Sequence, residues 1–312
     1  MGKSKRGESQ EGAATLPDGV FAASLTPLQE GYAVDFGLLK QHVLWLLSNG
    51  CDGVALFGTT GEANSLSNTE RMVGLDAMME AAVAPKQLLV GTGSCAAAET
   101  VALTRHAVHH GVGGVLVLPP FYYKNPSDEG LFAFYDHVIQ EVGESDLAVY
   151  LYHIPPVSQI PFSHSLVERL LKRYPKTVVG VKDSGGDFAH MQSIRTAFPE
   201  LQLFAGTERF LLDVLRIGGK GCISATVNVS SLQAARVYSA WRKNQEGSEL
   251  LQAELTRMRR ALEPFPMIPA LKALASQRTG VSSWRSPCPP LMPLDSDQCE
   301  QLFQATEGVL PR

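Results

Sequence analysis

The residue of this sequence whose surroundings most suggest chemistry is Lys182. It ends an apolar run that begins at Val178, and a glycine-containing turn follows it. Burying an ammonium group is costly, so lysines usually lie in solvent. One interpretation is a rim lysine paired with Asp183 or Asp187; the other is an amine that desolvation brings to its neutral form, so that it attacks a carbonyl and forms a Schiff base. The stretch alone leaves both open.

A second motif, Gly58-Thr59-Thr60-Gly61-Glu62, follows another short apolar run. Its two hydroxyls and successive backbone N–H groups on a glycine-flanked turn can form a nest for a small carboxylate. An ordinary strand-to-helix turn would have the same spacing, and the spacing does not separate the two.

Tyr152 lies near the end of the apolar run at 148–153. Side chains alternate between the faces of a strand, so Tyr152 is expected on the same face as Tyr150 and opposite to Leu151 and His153. A tyrosine at the carboxyl end of a strand can pass a proton to or from a carbinolamine. The alternative is an amphipathic packing residue.

The composition is that of a globular protein. The chain has 312 residues, of which 45% are hydrophobic and 19% charged, with a formal net charge of −4. No broad basic field is present to attract nucleic acid, and no apolar run reaches the roughly 18 residues that a membrane span needs. The five cysteines are scattered, without the spacing of a zinc site or a disulfide framework. These features favour a cytoplasmic setting, with neither nucleic acid nor a membrane as partner.

Short β-like runs alternate with helical patterns about every 30 residues, the length of a strand–helix unit. Eight runs are predicted as strands, at 20–26, 53–58, 87–91, 114–118, 148–153, 178–182, 201–205 and 221–226. One helix is predicted to start at Ser67, which has capping-box spacing to Glu70. The others are predicted at 35–48, 98–110, 128–142, 163–174, 188–198, 210–217 and 231–243.

Eight such units, without Gly-x-Gly-x-x-Gly after the first strand, favour a closed (β/α)8 TIM barrel over an open sheet. Catalytic groups of such barrels lie at the carboxyl ends of the strands, where Lys182 is expected. Gly180 should share its face and leave room beneath it, whereas Val179 and Val181 should face the helices.

The chain divides into three parts. We expect residues 1–16, which are small or charged and have no apolar core, to form a disordered tail. Residues 17–243 form the barrel. Residues 244–312 continue with helical patterns that a proline-rich stretch at 287–293 interrupts, and we expect them to pack on the barrel as a C-terminal helical appendix.

Three motifs together resemble the signatures of the dihydrodipicolinate synthase and N-acetylneuraminate lyase family. They are the turn at 58–62, Tyr152 in Leu-Tyr-His-Ile-Pro, and Lys182 in Gly-Val-Lys-Asp-Ser-Gly-Gly-Asp. Their order and separation match, and the resemblance extends from about Gly19 to the C-terminus. The combination is specific where each motif alone would be weak.

The resemblance implies a class I aldolase or lyase without a cofactor. Lys182 would form an imine with the keto group of pyruvate or another 2-oxo acid, and Tyr152 would carry the proton. Thr60, Gly58 and the neighbouring backbone would hold the carboxylate of this small-molecule substrate, with Thr59 in a hydrogen-bond relay to Tyr152.

The resemblance also implies a homo-oligomer, a dimer or a tetramer built from dimers. Family members place a tyrosine from a neighbouring subunit in the relay, from a motif after the fourth strand. The matching stretch contains Tyr122 and Tyr123, and one extra residue before Pro126 leaves open which of them takes the role, for which we select Tyr122.

Departures from the family pattern bear on the substrate. Dihydrodipicolinate synthases carry an arginine five residues after the strand-five tyrosine, where this chain has Val157, which cannot make a bidentate contact with a carboxylate. Sialic acid lyases use an acidic pair after the seventh strand, where only Glu208 remains. The resemblance therefore favours 2-keto-3-deoxy acid or hydroxy-2-oxo acid aldolases, with Gly206, Glu208 and Ser224 as candidates for contact with the variable half of the substrate.

Other functions stay open at this point. The same imine would serve a dehydratase or deaminase, a true 4-hydroxy-tetrahydrodipicolinate synthase, or a barrel that only binds a 2-oxo acid.

Three histidines, His106, His109 and His110, recur at helical spacing and could bind a metal. A solvated helix end is the favoured interpretation of these histidines. We assign no metal to the predicted site, because a Schiff-base mechanism needs none.

Overall fold

Eight parallel strands close into a barrel in a computed structural model that describes residues 15–309. Each strand pairs with its neighbour in sequence, and β1 pairs with β8. The strands are β1 Gly19–Ala23, β2 Gly53–Leu56, β3 Leu88–Gly91, β4 Gly114–Val117, β5 Val149–His153, β6 Val178–Asp183, β7 Gln202–Ala205 and β8 Gly221–Ser224. The predicted (β/α)8 barrel is confirmed.

Helices follow every strand and then continue beyond the barrel. Those of the barrel are α1 Phe36–Ser48, α2 Asn68–Glu80, α3 Ala97–His109, α4 Asp128–Val142, α5 Pro155–Ser158, α6 His164–Arg173, α7 Phe188–Ala197, α8 Leu211–Arg216 and α9 Val227–Arg242. Those of the appendix are α10 Ser248–Leu262, α11 Met267–Thr279 and α12 Ser296–Thr306. The predicted capping box is present, since Ser67 and Glu70 each accept a hydrogen bond from the other's backbone N–H. None of the helices in the described range is both long and apolar enough to cross a membrane.

The strand side chains divide between two apolar clusters. One lies between the strands and the helices. The other contains no helix residue and fills the barrel lumen, with Phe21, Tyr150 and Phe204 among its largest members. Leu16 belongs to this inner cluster, is 2% exposed, and donates its backbone N–H to the Tyr150 hydroxyl at 2.9 Å. The tail is predicted at residues 1–16, and positions 1–14 lie outside the described residues. Leu16 is buried, which corrects the C-terminal boundary of the predicted tail.

A β-bulge interrupts the pairing of β5 with β6. Val149 pairs with Val178, but the next residue, Tyr150, pairs with Gly180, so Val179 has no partner. Val179 packs against the inner cluster, and the prediction that it faces the helices is wrong, because an extra residue in one strand resets the alternation. Gly180 does face the lumen, where a Cβ atom would lie 2.5 Å from the Tyr150 ring.

The appendix packs on the barrel through a third apolar cluster. Leu25 and Leu38 from the barrel join Leu271, Trp284 and Leu302 of the C-terminal region.

A buried ion pair adds to this contact. Lys272 of α11 pairs with Glu62 of the turn after β2, and their side chains are 0% and 1% exposed. Glu62 also accepts the backbone N–H of Cys288 at 2.6 Å, and the Lys272 ammonium donates to the Ser286 carbonyl at 2.9 Å. Burial lowers the pKa of Lys272, while Glu62 opposes that shift.

This pair predicts a specific pattern of stabilities. Lys272→Met leaves the Glu62 carboxylate buried without its cation, and we expect the free energy of unfolding to fall by about 3–5 kcal/mol. Adding Glu62→Gln removes both charges and keeps an acceptor for Cys288, so most of the loss should be recovered. Denaturant unfolding followed by circular dichroism measures both variants.

The matched control is Lys40→Met, at an exposed position of α1. It should change the free energy of unfolding by no more than about 0.5 kcal/mol. Equal stability of Lys272→Met and Lys40→Met would show that the ion pair does not support the fold.

Candidate active site

Strand register brings Lys182 and Tyr152 together. The two residues are direct partners across β5 and β6, so both side chains enter the lumen at the same level. They are 3% and 4% exposed, and the Lys182 Nζ lies 4.4 Å from the centroid of the Tyr152 ring. The electron-rich face of an aromatic ring attracts a cation, which keeps the amine in place without a counter-charge.

Both acids considered as partners of Lys182 are engaged elsewhere. Asp183 lies on the opposite face of β6 and accepts hydrogen bonds from the Gly185 backbone and from His190. Asp187 caps α7 by accepting the N–H of Ala189. Among residues 15–309 no carboxylate forms an ion pair with Lys182. The geometry therefore favours the buried nucleophile over the rim ion pair.

The turn after β2 supplies polar groups beside this pair. Thr59 Oγ1 lies 3.3 Å from the Tyr152 hydroxyl, the contact expected of a relay. The backbone N–H groups of Thr59, Thr60 and Gly61 donate to no other group in the described part of the chain. Free N–H groups on a tight turn are suited to bind an anion.

Backbone geometry fixes the direction of this turn. Phe57 has φ of 53°, a left-handed conformation that costs a non-glycine residue of the order of 1–2 kcal/mol. Its ring packs closely on α2, where a Cβ atom on Gly74 would come within 2.4 Å of it. The Thr26 hydroxyl holds the other side of the turn by donating to the Gly61 carbonyl at 2.8 Å.

A small cavity connects the turn with Tyr152. Gly58, Thr59 and Tyr152 line it. Gly93 and Leu118, which follow β3 and β4, complete the lining. Gly206 stands at the end of β7 beside Ser184, where a side chain would overlap the Ser184 hydroxyl.

Glu208 and Ser224 do not join the lumen. Ser224 shares the face of Cys222, which lies in the outer cluster, and its hydroxyl bonds the Glu208 carboxylate. Glu208 also accepts from Thr226 and lies 3.8 Å from Arg259 of α10. Both oxygens of the Glu208 carboxylate are already engaged within this chain, so the geometry gives no support to the assignment of Glu208 and Ser224 to the substrate.

The loop after β4 presents its tyrosines to solvent. Tyr122 and Tyr123 are 73% and 79% exposed, and their rings pack against each other 5.3 Å apart. Tyr122 has no described contact with Tyr152 within this chain. Val157 lies in α5 directly after β5 and is also exposed.

A histidine pair supports the strands from outside. His153 and Asp183 are partners across β5 and β6 on the face opposite to Tyr152 and Lys182. His190 Nδ1 lies 2.6 Å from Asp183 Oδ2, and its ring stacks on His153 at 4.2 Å with 12° between the planes. His153 Nδ1 accepts the backbone N–H of Phe162, so His153 is held as a neutral acceptor.

Local sequence patterns contain no signal for His190, because its partner Asp183 lies on the preceding strand, across a turn whose course these patterns do not define. Hydrogen bonding to Asp183 raises the pKa of His190, while burial lowers the pKa of His153 to about 4. The two parallel rings stack rather than converge on a metal position.

This end of the barrel thus places the Lys182 amine over the Tyr152 ring and the Thr59 hydroxyl beside the Tyr152 hydroxyl, with the free amides on the same turn as Thr59. This set can form an imine and move protons around it.

Comparison with known proteins agrees with this geometry. Residues 16–307 match the model of the dihydrodipicolinate synthetase family. The chain is 32% identical over 301 residues to an uncharacterized DapA-like lyase of Chloroflexus aurantiacus, covering 94% of this chain and 97% of the relative. It is 33% identical over 248 residues to a 4-hydroxy-tetrahydrodipicolinate synthase of Rhodospirillum centenum, covering 79% of this chain and 81% of the relative.

A solved structure of similar fold is dihydrodipicolinate synthase from Agrobacterium tumefaciens. It superposes with a TM-score of 0.85 at 32% identity, over 93% of this chain and 99% of that one.

The contact between His190 and Asp183 predicts a pH-dependent stability. Because the pKa of His190 is raised in the folded state, the stabilisation by its imidazolium is complete below the pKa of the unfolded chain, about 6.5. This stabilisation is lost as pH rises through the pKa of the folded state. His190→Gln keeps a neutral donor for Asp183. We expect its loss of stability relative to wild type to be largest below pH 6.5 and to shrink at alkaline pH.

Denaturant unfolding from pH 5.5 to 9 measures this difference. The folded-state pKa of His153 is lowered in the wild type, so protonation of His153 also costs stability below pH 6.5, with or without the substitution. His137→Gln, at an exposed position of α4, is the control and should follow the wild-type curve. A His190→Gln deficit that stays constant or grows with pH would contradict the assignment.

Proposed function

The chain belongs to the dihydrodipicolinate synthetase family and is a lyase, and we propose its reaction from this premise. It cleaves or forms a carbon–carbon bond of a small 2-oxo acid through a Schiff base on Lys182. The substrate class is pyruvate together with 2-keto-3-deoxy or hydroxy-2-oxo acids. The observation that carries the proposal is a buried lysine that faces the Tyr152 ring and has no described carboxylate partner.

The first steps form the imine. The neutral Lys182 amine attacks the keto carbon, and the carbonyl oxygen takes a proton to give a carbinolamine. Loss of that oxygen as water leaves a protonated imine. Tyr152 supplies and recovers these protons, and Thr59, 3.3 Å from its hydroxyl, relays them.

Cleavage then uses the imine as an electron sink. The C4 hydroxyl gives its proton to the Tyr152 phenolate left by imine formation, the C3–C4 bond breaks, and its electron pair flows to the iminium nitrogen to give an enamine and an aldehyde. Protonation at C3 and hydrolysis of the imine release pyruvate and restore Lys182. Synthesis is the reverse of these steps.

The free amides after β2 would hold the substrate carboxylate next to the keto group. Neutral N–H donors orient the anion and leave Lys182 without a fixed charged neighbour. We propose a homo-oligomer in which the exposed Tyr122 or Tyr123 of one subunit reaches the relay of another. Their 73% and 79% exposure in a single chain supports this role.

The exposed Val157 disfavours a true 4-hydroxy-tetrahydrodipicolinate synthase, because no guanidinium stands there to hold a second carboxylate. Dehydration or deamination through the same imine remains the alternative chemistry for this site.

Trapping with borohydride tests the imine directly. Incubation with pyruvate and sodium borohydride should reduce the imine to a stable secondary amine, which intact-mass and peptide mass spectrometry locate at Lys182. Lys182→Ala should give no adduct. Lys220→Ala, at an ion-paired lysine before β8, is the matched control and should be labelled like the wild type. A folded wild-type protein whose Lys182 stays unmodified would overturn the proposal.

Product assays with Tyr152→Phe test the chemistry that follows. The wild type should release pyruvate and an aldehyde from 2-keto-3-deoxy acids, whereas a dehydratase would give a dehydrated 2-oxo acid without an aldehyde. Tyr152→Phe keeps the ring beside Lys182 but removes the phenolic proton, so kcat should fall about 100- to 10,000-fold with little change in KM. Absence of both pyruvate and aldehyde from all such acids would exclude the aldolase version.

A further inference from the structure

A second cluster of polar side chains lies on the outside of the barrel, remote from the lumen. Asp76 of α2 faces His106 of α3 and His110, the residue that caps α3. The Nε2 atoms of both histidines lie 2.8 Å from the same oxygen, Asp76 Oδ1. The imine chemistry uses none of these three groups.

The convergence follows from helix geometry. His106 and His110 are four residues apart, so their side chains leave α3 on one face, one turn apart. Their rings stand nearly perpendicular, at 80° and 4.8 Å, and both present Nε2 toward α2. Asp76 meets them from the neighbouring helix. Two imidazole nitrogens and one carboxylate oxygen thus lie within 4.8 Å of one another on two packed helices.

We propose that Asp76, His106 and His110 bind a divalent transition metal, Zn²⁺ by the chemistry of the donors. Imidazole nitrogen and carboxylate oxygen are ordinary zinc ligands at about 2.0–2.2 Å, and a pair of histidines at i and i+4 is a recurrent zinc-binding arrangement. A tetrahedral zinc site separates its ligand atoms by about 3.3 Å, so the two 2.8 Å separations need to open by only about 0.5 Å. A water molecule would complete the coordination.

The environment allows this adjustment. The side chains of His106 and His110 are 25% and 23% exposed and that of Asp76 is 44% exposed, so the site is open to an entering ion. The only other described contact of His106 Nε2 is the Met72 carbonyl oxygen at 3.3 Å, which is weak. The other described group of three, His153, Asp183 and His190, has parallel stacked rings and supports the catalytic strands.

The chain provides a matched control. His109 lies in the same last turn of α3 but belongs to no described metal-ligand group. Changing it alters the histidine content of the helix end and keeps all three proposed ligands, although its ring packs edge-on against that of His110, with the centroids 5.6 Å apart.

Titration calorimetry of the metal-stripped full chain with ZnCl₂ tests the site. We expect His106→Ala/His110→Ala to weaken the strongest zinc site by more than about 100-fold, since loss of supporting groups alone costs roughly 10- to 100-fold. His109→Ala should bind like the wild type, and added zinc should raise Tm in the wild type and His109→Ala but not in the double variant. Unchanged zinc affinity in the double variant would overturn the proposal.

A spectroscopic measurement on the wild type does not depend on the folding of any variant. The exposed thiol of Cys95 is a competing ligand for zinc. Co²⁺ bound at the proposed site should show the visible bands of a nitrogen- and oxygen-ligated ion without a thiolate charge-transfer band. A thiolate band at the first equivalent would overturn the assignment. Retention of the borohydride adduct in the double variant would separate this site from the imine chemistry.

Discussion

A buried lysine side chain without a carboxylate partner is the constraint on which the candidate active-site end of this barrel depends. Lys182 is followed directly by an acid, and a carboxylate on its own face would hold it as a permanent ion pair. Strand alternation prevents this, because Asp183 faces outward while Lys182 faces the lumen. His190 then satisfies Asp183 from outside. The amine meets an aromatic ring instead of an anion.

The same separation of charges extends around the rim. Glu62 and Glu208 follow β2 and β7, yet both are directed away from the lumen and meet Lys272 and Arg259 of the appendix. A carboxylate facing the lumen would repel an anionic 2-oxo acid in a medium of low dielectric constant. The helical appendix therefore does more than cover apolar surface, since it supplies Lys272 as the buried partner of Glu62 and places Arg259 beside Glu208. What remains to meet the substrate is a lysine and uncharged hydrogen-bond donors.

Local patterns predicted the architecture well because they are set by neighbours in sequence. Short apolar runs located all eight strands, and the capping box at Ser67 and Glu70 located the start of α2. The prediction errors arise where a residue distant in sequence determines the direction or the burial of a side chain. Val179 turns inward because β5 has no residue opposite it. Leu16 is buried in the inner cluster, where its backbone N–H donates to the hydroxyl of Tyr150, 134 positions away.

The candidate site residues also divide into those whose position local patterns predict and those that a distant partner positions. The proximity of Lys182, Tyr152 and Thr59 could be predicted, since each lies near the carboxyl end of a strand or just after it and the barrel brings these ends together. The position of Glu208 could not be predicted from sequence, because the groups that engage its carboxylate lie on β8, just after β8 and on α10.

The helix α2 contacts both the turn after β2 and the proposed metal site, and its packing determines what a bound metal could change. Arg71 donates to the Gly91 carbonyl at 2.7 Å and Gly74 receives the Phe57 ring, so α2 supports the strained turn that presents the amides. Asp76 lies about half a turn beyond Gly74 on the same helix. A ligand shifts an equilibrium only if it binds two states differently. Because these two contacts already fix α2 against the strands, we expect a metal joining α2 to α3 to oppose unfolding rather than to alter substrate affinity.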